Sequence, residues 1–132
     1  MVTPAMTPVE VVLALNDLIE QRRGLEAVDL YFADDFLEHD PNIAGGDKAG
    51  FVRFLLDGGW TTPGGRAYGF HMDRIIASGE YVVTHQHVTE GPDDPILVFI
   101  DIYRVVDAKL VEHWHVGSSV PENQVNKRTT MY

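Results

Sequence analysis

The sequence predicts an α+β domain, helices first and an antiparallel sheet afterwards, with the sheet curled into an open cone. Two observations carry that expectation. The first half of the chain repeats apolar residues at helical spacing behind recognisable caps. From residue 66 onward it changes to β-branched and aromatic runs separated by turn signals. Segregated helices and strands, without alternation of the two, form the α+β pattern. Long strands with three helices on one face can curl round a pocket.

The first helix is read from "TPVEVVLALNDLIEQRR": Thr7 as N-cap, Pro8 at the first helical position and Glu10 closing a capping box. Val11, Leu15, Leu18 and Ile19 recur on one face, which predicts a helix from Pro8 to Arg23, ended or kinked by Gly24. "LEAVDLYF" predicts a shorter helix with Leu25, Val28 and Phe32 inward, and "DDFLEHDP" a short extended piece stopped by Pro41, with Asp34 and Asp35 in a solvated turn. Glycines bracket "GGDKAGFVRFLLDGG", where Phe51, Phe54 and Leu55 share one face of a third helix. Four strands in a meander follow, over 66–79, 80–91, 95–107 and 109–120, with turns at Ser78-Gly79, Gly91-Pro92-Asp93-Asp94 and Asp107-Ala108. The tail "PENQVNKRTTMY" reads as irregular.

With 132 residues the chain has the size of one domain. It has no cysteine, so disulfides, thiolate nucleophiles and cysteine-ligated metals are excluded. Twenty acidic residues against ten basic ones give a net charge of -10, with no basic stripe, which disfavours nucleic acid and anionic membranes as partners. No apolar run has the length of a membrane span, and "MVTPAMTPVE" lacks the pattern of a secretory signal, so a cytoplasmic location is expected.

The segments "FLEHDP", "RIIASGEYVVTHQHV", "FIDIYRVVDAKLVEHWHV" and "VPEN", in this order and spacing, resemble the SnoaL-like, polyketide-cyclase-like branch of the NTF2-like superfamily. The resemblance spans nearly the whole chain and is most specific from Asp101 to Trp114. It implies a cone-shaped α+β fold with a deep pocket, a homodimer formed through the outer sheet face, and cofactor-independent acid/base chemistry by an acidic residue after the Trp. This chain departs from the pattern at that position, where His115 replaces the usual Asp. It also has Glu38 for Gln, Asp40 for Asn and Ser118 for Gln.

Strand alternation puts Asp101 and Tyr103 on one face with Phe99, and His113 with His115 on one face of the next strand. His85 and His87 repeat the His-x-His spacing earlier, and His39 precedes a proline where a short element is expected to cross the cone's mouth. Were the faces to coincide, five imidazoles with Asp101 and Asp40 would converge on one cavity, a matter of register that one chain does not fix.

Three readings stay open. In the first, His115 or His39 moves a proton on a bound carbonyl compound while Asp101 orients an imidazole, Tyr103 donates to a developing enolate, and His113, His85 and Trp60 contact substrate. No cofactor is needed. In the second, the pairs His85/His87 and His113/His115 together, or one pair with Asp101 or His39, hold a divalent metal. In the third, the pocket binds a small apolar ligand without chemistry and the histidines are structural. Trp114 and Trp60 read equally as core, dimer face or pocket wall, "GGWTTPGG" as a loop over the pocket, and Arg104 as a partner of Glu112 across the outer face. The expectation is a cytoplasmic homodimer acting on a small molecule as a cyclase, isomerase or lyase.

Overall fold

The structure, a computed structural model, describes residues 4–58, 68–90 and 94–132. Helix α1 spans Pro8–Glu20. Thr7 Oγ1 accepts the Glu10 N–H at 3.2 Å and Glu10 Oε1 accepts the Thr7 N–H at 3.0 Å, which is the predicted capping box. The helix ends at Glu20, short of the expected Arg23, because Gln21 caps it and Arg22 turns into the left-handed region at φ 64°. Gly24 therefore does not end α1; it opens α2, Gly24–Tyr31, where a β-carbon would lie 2.9 Å from Leu55 Cδ1. In α2 the inward residues are Ala27 and Val28, while Leu25, expected inside, is exposed.

The segment expected as a loose extended piece is a strand, β1, Phe32–Glu38, paired parallel with the last strand. This corrects two expectations at once. Phe32 belongs to a strand, and the sheet is mixed, since its edge strand β1 runs parallel to β5 while the other pairs are antiparallel. The strand was hidden because its buried pair, Phe32 and Phe36, falls at a spacing of four, which imitates a helix. Asp34, Asp35 and Leu37 are its exposed positions. Helix α3, Lys48–Asp57, starts at Asp47, whose carboxylate accepts the Gly50 N–H at 2.8 Å.

A side chain at Gly50 would run into the backbone carbonyl oxygen of Ala44. Helix propensity alone favours alanine there by about 1 kcal/mol, but a contact with backbone cannot be relieved by a rotamer change. Gly50→Ala is therefore expected to destabilise the fold by about 1–3 kcal/mol. Urea denaturation checks this, and an unchanged midpoint would show that the 40–47 loop yields freely.

The remaining strands are β2 (Tyr68–Ser78), β3 (Tyr81–Glu90), β4 (Pro95–Val106) and β5 (Lys109–Ser119), and the sheet order is β1-β5-β4-β3-β2. The β4–β5 turn places Asp107 and Ala108 at φ 50° and 60°, the two consecutive left-handed residues of a tight hairpin. On β5, Leu110 and Glu112 face the consecutive residues Val105 and Arg104, so Val111 is the extra residue of a β-bulge. The core fills one end of the cone, where Val11, Val12 and Leu15 of α1 and Phe51 and Leu55 of α3 pack on Phe32, Phe36, Val82, Val105 and Leu110.

Candidate active site

The bulge at Val111 fixes which side chains face inward. Leu110, His113 and His115 all lie on the concave face, opposite Val105, Tyr103 and Asp101. On β3 the inward set is Val82, Thr84, Gln86 and Val88. Between this face and helices α1 and α3 is a cavity of about 440 Å³. Its walls are mainly apolar, with Ile43, Phe54, Phe70, Leu97 and Phe99 among them; the polar lining comes from Asn16, Glu20, Asp40, Asn42, Gln86 and the β4–β5 group. Among the described residues that line it there is no lysine or arginine.

Asp101 is the hub. Its Oδ1 accepts from His115 Nδ1 at 2.8 Å and from His113 Nε2 at 3.0 Å, and its Oδ2 accepts from the Tyr103 hydroxyl at 3.5 Å. The other nitrogen of His113, Nδ1, lies 2.8 Å from the carboxylate oxygens of Glu38, whose side chain is fully buried. Asn16 reaches the Tyr103 hydroxyl from α1 at 3.3 Å. Among the described residues no buried side-chain nitrogen or oxygen lacks a partner, as expected where an unmet group would cost more than the bond returns.

Charge follows from these contacts. Burial works against ionisation of Asp101, but hydrogen bonds from His113 and His115 outweigh it and hold the carboxyl below its ordinary range. Burial likewise opposes the charged form of His113, yet Asp101 and Glu38 together raise it to about 9. The Asp101 hydrogen bond lifts His115 above its ordinary value, against burial and repulsion from His113, with Asp40 adding to the lift. Burial and the Asp101 charge keep Tyr103 a neutral phenol well past the usual range. With Nδ1 of His115 committed to Asp101, Nε2 is the nitrogen available to the cavity. Gly117 leaves room there, since a β-carbon would stand 3.2 Å from Nε2.

The site therefore brings together Asp101, Tyr103, His113 and His115. The Tyr103 hydroxyl is turned to Asp101, so the expected donation to an enolate is replaced by support of the carboxylate. His39 is not in the cavity. Past the inward Glu38 the next side chain points out, and His39 lies on Glu112 at 2.8 Å and stacks on Trp114 with ring centroids 4.5 Å apart. His85 and His87 also face outward, which removes His85 from substrate contact and dissolves the four-histidine metal set. His85 contacts the Met131 carbonyl at 2.8 Å and Arg74 at 2.9 Å. His87 pairs with Asp73 and stacks between His71 and Tyr132. Among the described residues no cluster of His, Asp or Glu has the arrangement of a metal site. Arg104 meets Glu112 at 2.7 Å across the outer face, the predicted pair. Trp60 and the 58–65 loop, apart from Gly58, lie outside the described residues.

Sequence reasoning missed the pairing of Glu38 with His113, and the lining roles of Asn16 and Glu20. A signal for the first was present, because Glu38 has the same strand parity as the buried Phe36.

Residues 12–113 match the family model of the SnoaL-like domain. The chain belongs to the SnoaL-like family. Solved structures agree on an NTF2-like fold. IdmH of Streptomyces antibioticus, named a "putative polyketide cyclase", is 21% identical, with 86% of this chain and 93% of that one covered and a TM-score of 0.68. A second "putative polyketide cyclase", from Acidithiobacillus ferrooxidans, is 19% identical over 89% and 92% of the two chains, with a TM-score of 0.67. An NTF2-like protein of unknown function from Cytophaga hutchinsonii is 10% identical over 89% and 95%, with a TM-score of 0.65. Among curated proteins no relative matches the chain by sequence. Among the described residues no helix is long and apolar enough to cross a membrane.

Proposed function

We propose that this SnoaL-like protein is a cofactor-independent acid/base enzyme of the cyclase, isomerase or lyase kind, acting on a small carbonyl or cyclic organic compound. The observation that supports this best is the His115–Asp101 contact of 2.8 Å at the wall of an apolar cavity. Asp101 holds the Nδ1–H, which fixes the tautomer and aims the Nε2 lone pair inward. A carbon acid next to a carbonyl gives its proton to Nε2, and the imidazolium returns it at another atom of the same molecule. The charge of Asp101 stabilises the imidazolium between the two steps. Apolar walls strengthen these interactions by excluding water.

The outer sheet face exposes Ile76, Ile100 and Val116, which supports the expectation of a homodimer built through that face, and we place the protein in the cytoplasm. A non-catalytic carrier would share the cavity but not the need for a paired imidazole. Incubating the protein with a panel of cyclic ketones and β-dicarbonyl compounds in D2O tests the reading. Deuterium exchange or product formation above the buffer rate is expected, and binding without either would favour the carrier.

A further inference from the structure

Both ring nitrogens of His113 face carboxylates, Nδ1 toward Glu38 at 2.8 Å and Nε2 toward Asp101 at 3.0 Å. A carboxylate offers acceptors only, and a neutral imidazole has a single N–H. Were His113 neutral, one of these contacts would set two lone pairs against each other inside the protein. Glu38 has no solvent to turn to, and its Oε1 also accepts the Asp40 N–H at 3.1 Å, which anchors the carboxylate where it is. Two N–H donors on His113 satisfy the whole arrangement.

We propose that Glu38 is a positioning residue that keeps His113 a doubly donating imidazolium, and that the pair places a standing positive charge in the wall of the cavity. The inference rests on the reading of the cavity as an acid/base site. Glu38 and His113 form a buried dipole whose positive end lines the cavity and whose negative end is sealed behind β1 and β5. No lysine or arginine among the described lining residues supplies such a charge. His115 becomes positive only after it takes a proton, whereas His113 is positive beforehand. Its field therefore favours negative charge developing on the substrate as the proton leaves, with no change of protonation on its own part. The same field keeps His115 from becoming too basic to give the proton back.

The groups facing His113 are Glu38 from β1, Asp101 and Tyr103 from β4, and His115 along its own strand; Asn16 from α1 and Thr84 and Gln86 from β3 add polar contacts near them without titrating. Tyr103 stays neutral, so Glu38 and Asp101 are the two anions that hold the charge.

Ring-nitrogen NMR of the full chain, without substrate, tests the inference independently of turnover. In the wild type both nitrogens of His113 are expected to carry protons from pH 6 to pH 8. In Glu38→Gln, whose amide oxygen can still accept from Nδ1 but carries no negative charge, the His113 titration is expected to move down by about one to three pH units. His115 then titrates higher as it loses a positive neighbour, and Glu38→Asp keeps His113 charged. A purely structural Glu38 would lower stability and leave both titrations in place. One protonated nitrogen on wild-type His113 at neutral pH overturns the proposal, even if Glu38→Gln does not fold. So does a folded Glu38→Gln protein in which His113 titrates as before. Absence of isotope exchange or product would defeat the enzymatic reading and leave this charge state standing.

Discussion

His115→Ala is expected to remove turnover, with a fall in kcat/KM of about 10²- to 10⁴-fold, the usual contribution of a positioned general acid/base. The fold should survive. The His115 side chain is about a third exposed, and Asp101 keeps His113 and Tyr103 as donors once it is gone. Circular dichroism and a denaturation midpoint close to the wild type establish that the loss is chemical. His115→Gln separates orientation from proton transfer, since its amide can still donate to Asp101 but cannot accept a proton at neutral pH. It should be as inactive as the alanine variant. Activity near the wild-type level in either variant would take His115 out of the mechanism and turn attention to Asp101 and Asp40.

Stability is expected to fall as the pH rises from 6.5 to about 9. An unfolded histidine releases its proton near 6.5, whereas His113 in the folded protein holds it to about 9. Below 6.5 the two states bind that proton alike and the contribution is complete. Above 6.5 the unfolded state binds fewer protons, so the contribution shrinks until the folded pKa is passed. The span corresponds to about 3 kcal/mol. His115, also raised, adds in the same direction. Asp101 acts on the other side, because its carboxyl is depressed below 3.8; its contribution is present above that value and is lost as the pH falls further. Maximum stability should therefore lie between about pH 4 and 6.5, on the acid side of neutrality. Urea titrations at pH 5, 7 and 9 measure it, and a stability that stays level or rises from 6.5 to 9 would contradict the buried imidazolium.

Much of this architecture was legible in the sequence, and what was not has physical reasons. Thr7, Pro8 and Glu10 announce α1 because a capping box is a local pattern that needs no tertiary information. Alternation along one strand is equally local, so Asp101 pairs with Tyr103 and His113 with His115 from the sequence, while the register that joins the two pairs is not local. Which face of a strand turns inward is another matter. On β3 both parities carry valine, Val82 with Val88 on one side and Val83 on the other, so hydrophobicity does not choose. The polar pair Thr84 and Gln86 turned out to be the buried one, and the histidines went outside. His39 was misplaced for a related reason. Pro41 says nothing of which way His39 points; the deciding fact is the inward Glu38 before it, held by a partner 75 positions away in the chain. Long-range pairing of this kind leaves no periodic trace.

The single extra residue at Val111 behaves as a frame marker for the whole site. Counting by twos from the buried Leu110 would deliver Glu112, Trp114 and Val116 to the interior and expel both imidazoles. The chemistry of the strand is thus written in one reading frame and its packing in another, joined at one inserted position. A relative lacking one residue between Leu110 and His113 would need no bulge to keep both imidazoles inward, whereas one that kept the residue but not the bulge would turn them out and set Glu112, Trp114 and Val116 in their place.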